Sequence, residues 1–380
     1  MELLQDIELR NKTVFLRVDF NVPMTGGKIT DTYRIRAAVP TIKFLVDRGA
    51  KVVIGTHCGR PEGKKTPETS IKPIAIKLQQ IMGHKIQMAP DVVNDDIKGH
   101  IKEEMKPGQI LVLENLRWDS REEANDLGFA KELAGLTESE NGKPGIYVND
   151  AFAVSHRENA SVVAITQFLP SYAGLLMQSE MTQLSLFLEN PAEPFVLIIG
   201  GVKVKDKAGM IEKLGEKADK ILVGGGVGNT FLKAKGENIG QSAYDEDMVD
   251  ECRAMIQRYG NKLVMPVDGA VEKSGDSFRI LDIGEETRAI FTREIARAKA
   301  VFWNGSLGKS EDERYQKGMV DVATALSKLH ETTVVAGGDT VGFIIEHKLE
   351  KGISFLSTGG GAALEYLAGV ELPGIAILEK

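Results

Sequence analysis

Cysteine is nearly absent. Cys58 and Cys252 stand alone in a chain of 380 residues, with no C-x-x-C pair and no metal-ligand spacing, which excludes a disulfide scaffold and a cysteine zinc site. Long apolar runs are missing too. The longest, FVLIIGGV, is strand-sized, well short of the roughly 20 residues that span a bilayer, so no membrane partner is expected. The N-terminus, MELLQDIELRNK, is acidic and lacks the basic-then-apolar order of a secretory signal, and a cytoplasmic protein is expected. Nor is there an excess of basic residues: 47 Lys and Arg stand against 54 Asp and Glu, a net charge of -7. That balance argues against nucleic acid as a partner, and any anionic ligand has to be met by a local cluster.

Two nucleotide motifs fail by a residue each. WNGSLGKSE, 303 to 311, ends like a phosphate-binding P-loop, but the position five before Gly308 is Trp303 where the motif needs glycine, because a side chain there blocks the turn that wraps the phosphates. The dinucleotide fingerprint G-x-G-x-x-G breaks at Asn229, after Gly224 and Gly226, which lowers a dehydrogenase reading.

What is present is an alternation. Short β-branched runs (VFLRVDFN, KVVIGTHCGRP, ILVLENLRW, IYVNDAF, then FVLIIGGVK, KILVGGGVGN, LVMPVD, AVFWNGSLG, TTVVAGGDT, SFLSTGGGA) are each followed by a polar, helix-like stretch. This is the pattern of parallel strands buried on both faces with helical crossovers. The length suits two domains, and the fold class expected is α/β: two Rossmann-like domains, each a parallel sheet flanked by helices, joined by a hinge helix. The seam is read at the proline-bounded stretch near 165 to 190, with domains at 1–170 and 171–365 and the hinge helix at about 178–189.

In open parallel sheets ligands bind beyond the carboxyl ends of the strands. First-half strands are followed there by Asp19 and Asn21, His57 and Arg60, Arg117, and His156 with Arg157, while Arg34 opens a helix-like stretch. Arginine and histidine converging on one rim suit a small phosphorylated carboxylate, since guanidinium forks pair with both groups. Any one of these arginines alone reads as surface, but their repeated placement at strand ends favours a pocket. Second-half strands run instead into GGVKVKDK, GGGVGN, NGSLG, GGDT and STGGGA. Glycine lets backbone amides and helix starts approach phosphate oxygens, and five such loops on one edge point to a nucleotide. Lys203 and Lys207 lie in the first of these loops. Asp339 is placed either to hold a phosphate-bound magnesium or to cap the helix beginning at Thr340, and spacing alone leaves both roles open.

These segments, in this order, resemble the phosphoglycerate kinase family over essentially the whole chain; LRVDFNVP and STGGGAALE are the most specific of them. The resemblance implies that Asp19, Asn21, Arg34, His57, Arg60, Arg117 and Arg157 bind 3-phosphoglycerate in the first domain. It implies that Lys203 and Lys207 contact the nucleotide phosphates, with Arg34 and Lys203 catalytic. Gly224, Gly225 and Gly226 would line the adenine pocket, Asn304 and Glu311 would face the nucleotide, and Gly338, Asp339 and Thr340 would meet phosphate, with Asp339 on Mg2+. Lys309 would be a solvated loop lysine. The tail, 366–380, resembles the segment that returns to the N-terminal domain. Implied with these are reversible phosphoryl transfer between 1,3-bisphosphoglycerate and ADP, ATP/ADP and 3-phosphoglycerate as partners, and a monomer. Departures from the family pattern at Ser306, Lys309, Ser310, Lys205 and Ala336 fall mainly on the nucleotide side, where they bear on base preference. A non-catalytic scaffold would have no need to keep Arg34, Lys203, Lys207 and Asp339 together.

Overall fold

The central strands are buried along nearly their whole length, as the β-branched runs require. The computed structural model describes residues 3–139 and 141–379. The first six-stranded sheet comprises β1 (Thr13–Arg17), β2 (Lys51–Gly55), β3 (Ile86–Met88), β4 (Ile110–Val112), β5 (Ile146–Asn149) and β6 (Ser171–Ala173). Its order is β3-β4-β2-β1-β5-β6, and every pairing is parallel. Side chains alternate between its faces. Val14, Leu16, Val52 and Ile54 enter one apolar cluster, while Phe15, Val53, Leu111 and Tyr147 enter another, so both faces are covered, as a parallel sheet demands.

The second sheet comprises β7 (Phe195–Ile199), β8 (Lys220–Val223), β9 (Leu263–Val264), β12 (Ala300–Asn304), β13 (Thr332–Ala336) and β14 (Phe355–Leu356). Its order is β9-β8-β7-β12-β13-β14, again all parallel. Between β9 and β12 in the chain lies an antiparallel hairpin, β10 (Gly269–Ser274) and β11 (Ser277–Ile283). Near the middle of each sheet the strand order reverses, between β1 and β5 and between β7 and β12, and a crevice opens beyond the carboxyl ends at such a reversal.

The α/β class and the two sheets are as the sequence led us to expect. The chain divides into a unit running to Met181 and completed by the stretch from Glu371, and a unit of Thr182–Val370. The expected boundary at 170 is too early, because β6 pairs with β5 and belongs to the first sheet. The helix expected at about 178–189 begins sooner, as Leu175–Glu189: Asp150 Oδ1 accepts the Leu176 and Met177 N–H groups and ties down its first turn. The tail is also shorter than 366–380, since residues 366–370 stay with the second unit and helix Gly361–Leu367 ends there. From Glu371 onward it is part of the first unit, where Gly374 N–H donates to Ser155 O at 2.9 Å and Asn149 Nδ2 donates to Gly374 O at 3.3 Å. No helix among the described residues is long and apolar enough to cross a membrane.

Candidate functional site

In the first unit the site grows from the end of β1. Arg17 closes a strand behind three apolar residues, Val14 to Leu16; it is enclosed, at 1% exposure, and an enclosed charge must be paired. Its Nε donates to Ser161 Oγ at 2.8 Å, Nη1 donates to Val18 O, and Glu122 Oε1 lies 3.9 Å from Nη2. Ser161 Oγ donates in turn to Glu122 Oε1 at 2.6 Å. Burial pushes the Glu122 carboxyl up, against the pull of Arg17 and Ser161.

Arg17 Nη2 also sits 3.3 Å from His57 Nδ1. Arginine can only donate, so Nδ1 accepts and the ring proton belongs on Nε2. Burial, opposed by Asp19 at 3.9 Å and reinforced by Arg17, Arg117 and Arg34, holds the imidazole down to about 3. His57 is therefore a neutral donor at physiological pH. Burial would push Asp19 up, yet Arg34, His57, the Asn21 N–H and Arg17 together keep its carboxyl below the usual range.

Arg34, near the start of helix Tyr33–Asp47, donates to Asp19 Oδ2 and, at 3.4 Å, to Asn21 O. Asn21 Oδ1 accepts the Gly59 N–H at 3.0 Å, and Arg117 Nη1 donates to the Gly59 carbonyl at 2.9 Å. Arg117 lies on the 3-10 turn Leu116–Trp118, capped by Asn115, and its Nε meets Glu123 at 3.1 Å. Burial pushes its guanidinium down, and neighbouring Arg157 and Arg17 add to that. Arg157 Nε contacts His156 Nε2 at 3.2 Å. Arg60 follows Gly59 in the chain, is exposed, and has no ion pair among the described residues. The structure thus joins Asp19, Asn21, Arg34 and His57 by direct contact, links Arg117 to Asn21 through the backbone of Gly59, brings Arg157 within electrostatic reach of Arg117, and leaves Arg60 exposed. Four guanidinium groups (Arg17, Arg34, Arg117, Arg157) face three carboxylates (Asp19, Glu122, Glu123), an excess of positive charge suited to an anion.

Sequence reasoning missed Arg17 and Glu122. The signal for Arg17 was there: a charged residue inside the apolar run VFLRVDF.

In the second unit the loops after β7 and β12 cross at the reversal. Gly200 N–H donates to Asn304 O at 2.8 Å and Gly201 N–H to Ser306 O at 2.6 Å. Only glycine fits at Gly305, with φ of +91° and the Gly200 oxygen 2.3 Å from where a Cβ would stand, and at Gly225, with φ of +60° and Ser306 O at 2.6 Å. Beside them lies a cavity of about 460 Å³, lined by Gly225, Gly226, Val202, Asn229, Leu307 and Glu311 on one side and by the hairpin residues Ile280, Leu281, Asp282 and Ile283 on the other.

Of the residues expected here, Gly225, Gly226 and Glu311 line the cavity, whereas Gly224 sits behind it, its N–H spent on Ile199 O. Lys207 is 9% exposed; burial pushes its amine down, with Asp206 and Asp339 opposing. Lys203 is exposed on the same loop. Asn304 Nδ2 donates to Ala336 O at 3.1 Å, and Thr340 Oγ1 accepts the Gly305 N–H at 3.1 Å. These bonds fasten the end of β12 to the start of helix Gly338–Glu346, where Gly338 and Asp339 are exposed. Lys309, expected as a plain solvated lysine, lines the cavity although half exposed; its amine lies 3.9 Å from Asp312, and its N–H donates to Leu281 O at 2.7 Å. The hairpin wall and Asp282 went unread. A GD turn flanked by alternating residues, AVEKSGDSFRI, was the available sign.

A family model described as phosphoglycerate kinase matches residues 4–370. The chain belongs to the phosphoglycerate kinase family. The phosphoglycerate kinase of Finegoldia magna is 41% identical over 396 residues, covering 99% of this chain and 98% of that one. That of Rubrobacter xylanophilus is 42% identical over 392 residues, with coverage of 99% and 98%. Among solved structures, phosphoglycerate kinase from Coxiella burnetii is similar with a TM-score of 0.84 at 36% identity, covering 100% of this chain and 98% of that one. The enzyme from Pyrococcus horikoshii OT3 gives a TM-score of 0.88 at 31% identity with the same coverage. The family resemblance in the sequence and the all-parallel two-sheet fold therefore agree.

Proposed function

We propose that the first unit's arginine cluster binds 3-phosphoglycerate and the second unit's glycine-rich cavity binds ATP or ADP. The reaction is that of the family: reversible phosphoryl transfer between 1,3-bisphosphoglycerate and ADP, giving 3-phosphoglycerate and ATP. The observation that carries the assignment is the contrast between the two sites. One is a set of guanidinium groups with a neutral histidine donor, matched to carboxylate and phosphate; the other is an apolar cavity beside glycine loops and helix starts, matched to a nucleotide.

In this reading Arg34, Asn21, His57, Arg60, Arg117 and Arg157 hold the substrate's two anionic ends, with Asp19 keeping Arg34 in place. Lys203 and Lys207 meet the nucleotide phosphates, Gly224, Gly225 and Gly226 flank the base, Glu311 meets the ribose, and Asn304, Gly338 and Thr340 shape the phosphate end. In the direction that consumes ATP the nucleophile is a carboxylate already ionised at neutral pH, so no general base is needed. Catalysis then rests on alignment and on Arg34 and Lys203 neutralising the transferring group. The two bound ligands have to meet for transfer, and helix Leu175–Glu189, which runs from one unit into the other, is the proposed hinge.

Magnesium fits Asp339. No group of three or more His, Cys, Asp and Glu among the described residues is arranged to hold a metal, and Mg2+ bound to a nucleotide needs only one or two protein carboxylates beside phosphates and water. When bound it neutralises phosphate charge. A monomer suffices, since each site is built from one chain, and the family's glycolytic chemistry supports a cytoplasmic location.

Calorimetric titration tests the split. Arg117→Ala is expected to weaken 3-phosphoglycerate binding at least about tenfold, the loss typical of one charge-assisted contact, and to leave ADP affinity unchanged. A comparable loss of ADP affinity refutes the assignment of ligands to units.

A further inference from the structure

We propose that Asp282 is a positioning residue for nucleotide binding: its carboxylate fastens the hairpin part of the cavity lining to the loop after β12 and to helix Lys317–Ser327, and so holds the cavity in shape. The inference rests on the reading of this cavity as the nucleotide site. It requires no contact between Asp282 and the nucleotide.

A two-stranded hairpin is marginal in water, so β10–β11 keeps its place through what ties it down. Its backbone is tied at Phe278, whose carbonyl accepts the Gln241 N–H at 2.8 Å, at Ile280, whose N–H donates to Ser242 Oγ at 2.7 Å, and at Leu281, whose carbonyl accepts the Lys309 N–H at 2.7 Å. Asp282 adds a charged tie from within the hairpin. It is 2% exposed. Oδ2 accepts the Gly318 N–H at 2.8 Å, at the start of helix Lys317–Ser327, while Oδ1 accepts the Ile283 N–H at 2.9 Å and braces its own strand.

The surroundings are shaped to this side chain. A Cβ on either Gly308 or Gly318 would collide with Oδ1, so loop and helix both close on the carboxylate with glycine. Ser306, Leu307, Gly308 and Lys309 of that loop line the cavity, as do Ile280, Leu281 and Ile283 of the hairpin. Asp282 thus lies where two parts of the lining meet. Burial, joined by Asp321 and opposed by the Gly318 and Ile283 N–H groups and Arg288, pushes its carboxyl from 3.8 up to about 6. The charged groups on the elements around it are Arg288 and Asp321, paired with each other at 2.8 Å, and Lys309 and Glu311 on the loop. Since the folded pKa lies above the unfolded one, the ionised group costs stability that is lost as pH rises from about 4 through 6. At neutral pH the fold therefore keeps a carboxylate that works against its own stability, which points to a role beyond packing.

Steady-state kinetics of Asp282→Asn at saturating 3-phosphoglycerate and fixed magnesium test this. The amide has the same shape but one oxygen for two N–H groups, and its NH2 is set against one of them. The KM for ATP is expected to rise about three- to tenfold, the scale of one hydrogen bond, with kcat and the KM for 3-phosphoglycerate nearly unchanged. Losing that bond and losing the cost of the charge offset each other in stability, so the second unit should melt within about 4 °C of wild type at neutral pH. In wild type, a fall of pH through 6 protonates the carboxyl and should raise the KM for ATP; Asp282→Asn should lack that part of the profile, the titration of the nucleotide's own phosphates being common to both. Gly318→Ala pushes on the carboxylate from the helix side while improving helix propensity, and should raise the same KM. An unchanged KM for ATP in Asp282→Asn and Gly318→Ala, whatever their melting temperatures, or the same pH dependence in wild type and Asp282→Asn, overturns the proposal. ADP titration of Glu311→Ala and Lys207→Ala separates the two levels: unchanged affinity in both removes the nucleotide reading and this proposal with it, while weakened affinity there and an unchanged KM in Asp282→Asn removes only the role of Asp282.

Discussion

Replacing Glu122 by alanine strips Arg17 of its counter-charge inside the first unit. Both residues are 1% exposed, and Ser161 relays between them at 2.8 and 2.6 Å. Removing one partner of such a buried pair costs about 3–5 kcal/mol, because the other charge stays enclosed and uncompensated. For a unit of this size each kcal/mol lowers the melting temperature by about 2–4 °C, so the first unit should melt about 6–20 °C earlier. Scanning calorimetry with and without 3-phosphoglycerate identifies its transition. The double replacement Arg17→Met with Glu122→Leu removes both charges in similar volume and should recover most of the loss, since apolar substitutes for buried pairs are often neutral or better. Recovered stability should not recover binding. Without Arg17 the tautomer of His57 is no longer fixed, and the KM for 3-phosphoglycerate should stay raised. A fall of less than about 2 °C in Glu122→Ala, or a double variant as unstable as the sum of the singles, refutes the argument that the pair is electrostatically closed.

Two further outcomes follow from the same geometry. Lys203→Ala should lower kcat by about 10² to 10³ with little change in either KM, as expected for a contact made mainly in the transition state; Lys309→Ala, whose amine lies toward Asp312, should lose less than about threefold, and near-normal turnover in Lys203→Ala would show the transfer site misassigned. For His57 the folded pKa, about 3, lies below the ordinary 6.5, so the unfolded chain takes up the proton first. The stability this group contributes is complete above pH 6.5 and is lost as pH falls toward 3, so His57→Gln should flatten the acid limb of the stability curve, and an NMR titration of the wild-type ring should show no step between pH 5 and 8, the range about its ordinary pKa.

The alternation of β-branched runs with polar helical stretches made both parallel sheets legible, because strands buried on both faces leave continuous apolar runs. Residues just beyond those runs were legible as site candidates for the same reason: β1 ends, and Asp19 must lie at its carboxyl edge. What could not be read was tertiary. Arg17 sits inside a run rather than after it, and only the distant Glu122 and Ser161, more than a hundred positions away in sequence, explain how its charge is tolerated. β6 is three residues long and is identified as a strand by its partner β5, so the first unit extends further than composition suggests. The hairpin β10–β11 is half exposed and lacks the apolar density of the other strands, yet it supplies a wall of the cavity. Asp282 is recognisable only once that wall is seen.

The return of the tail to the first unit bears on synthesis as well as on packing. Gly374 approaches Val162 and Ser155 so closely that a Cβ would stand 2.7 and 2.9 Å from them, and Asn149, at the end of β5, gives its amide hydrogen to the Gly374 carbonyl. A ribosome making this chain delivers the first unit's sheet early but these contacts only after the whole second unit has been translated. The first unit therefore waits, with Asn149 and the surface around Val162 uncovered, until the segment from Glu371 has emerged. Truncation by a dozen residues would leave that unit permanently in its nascent form, although the missing segment is remote in sequence from everything it touches.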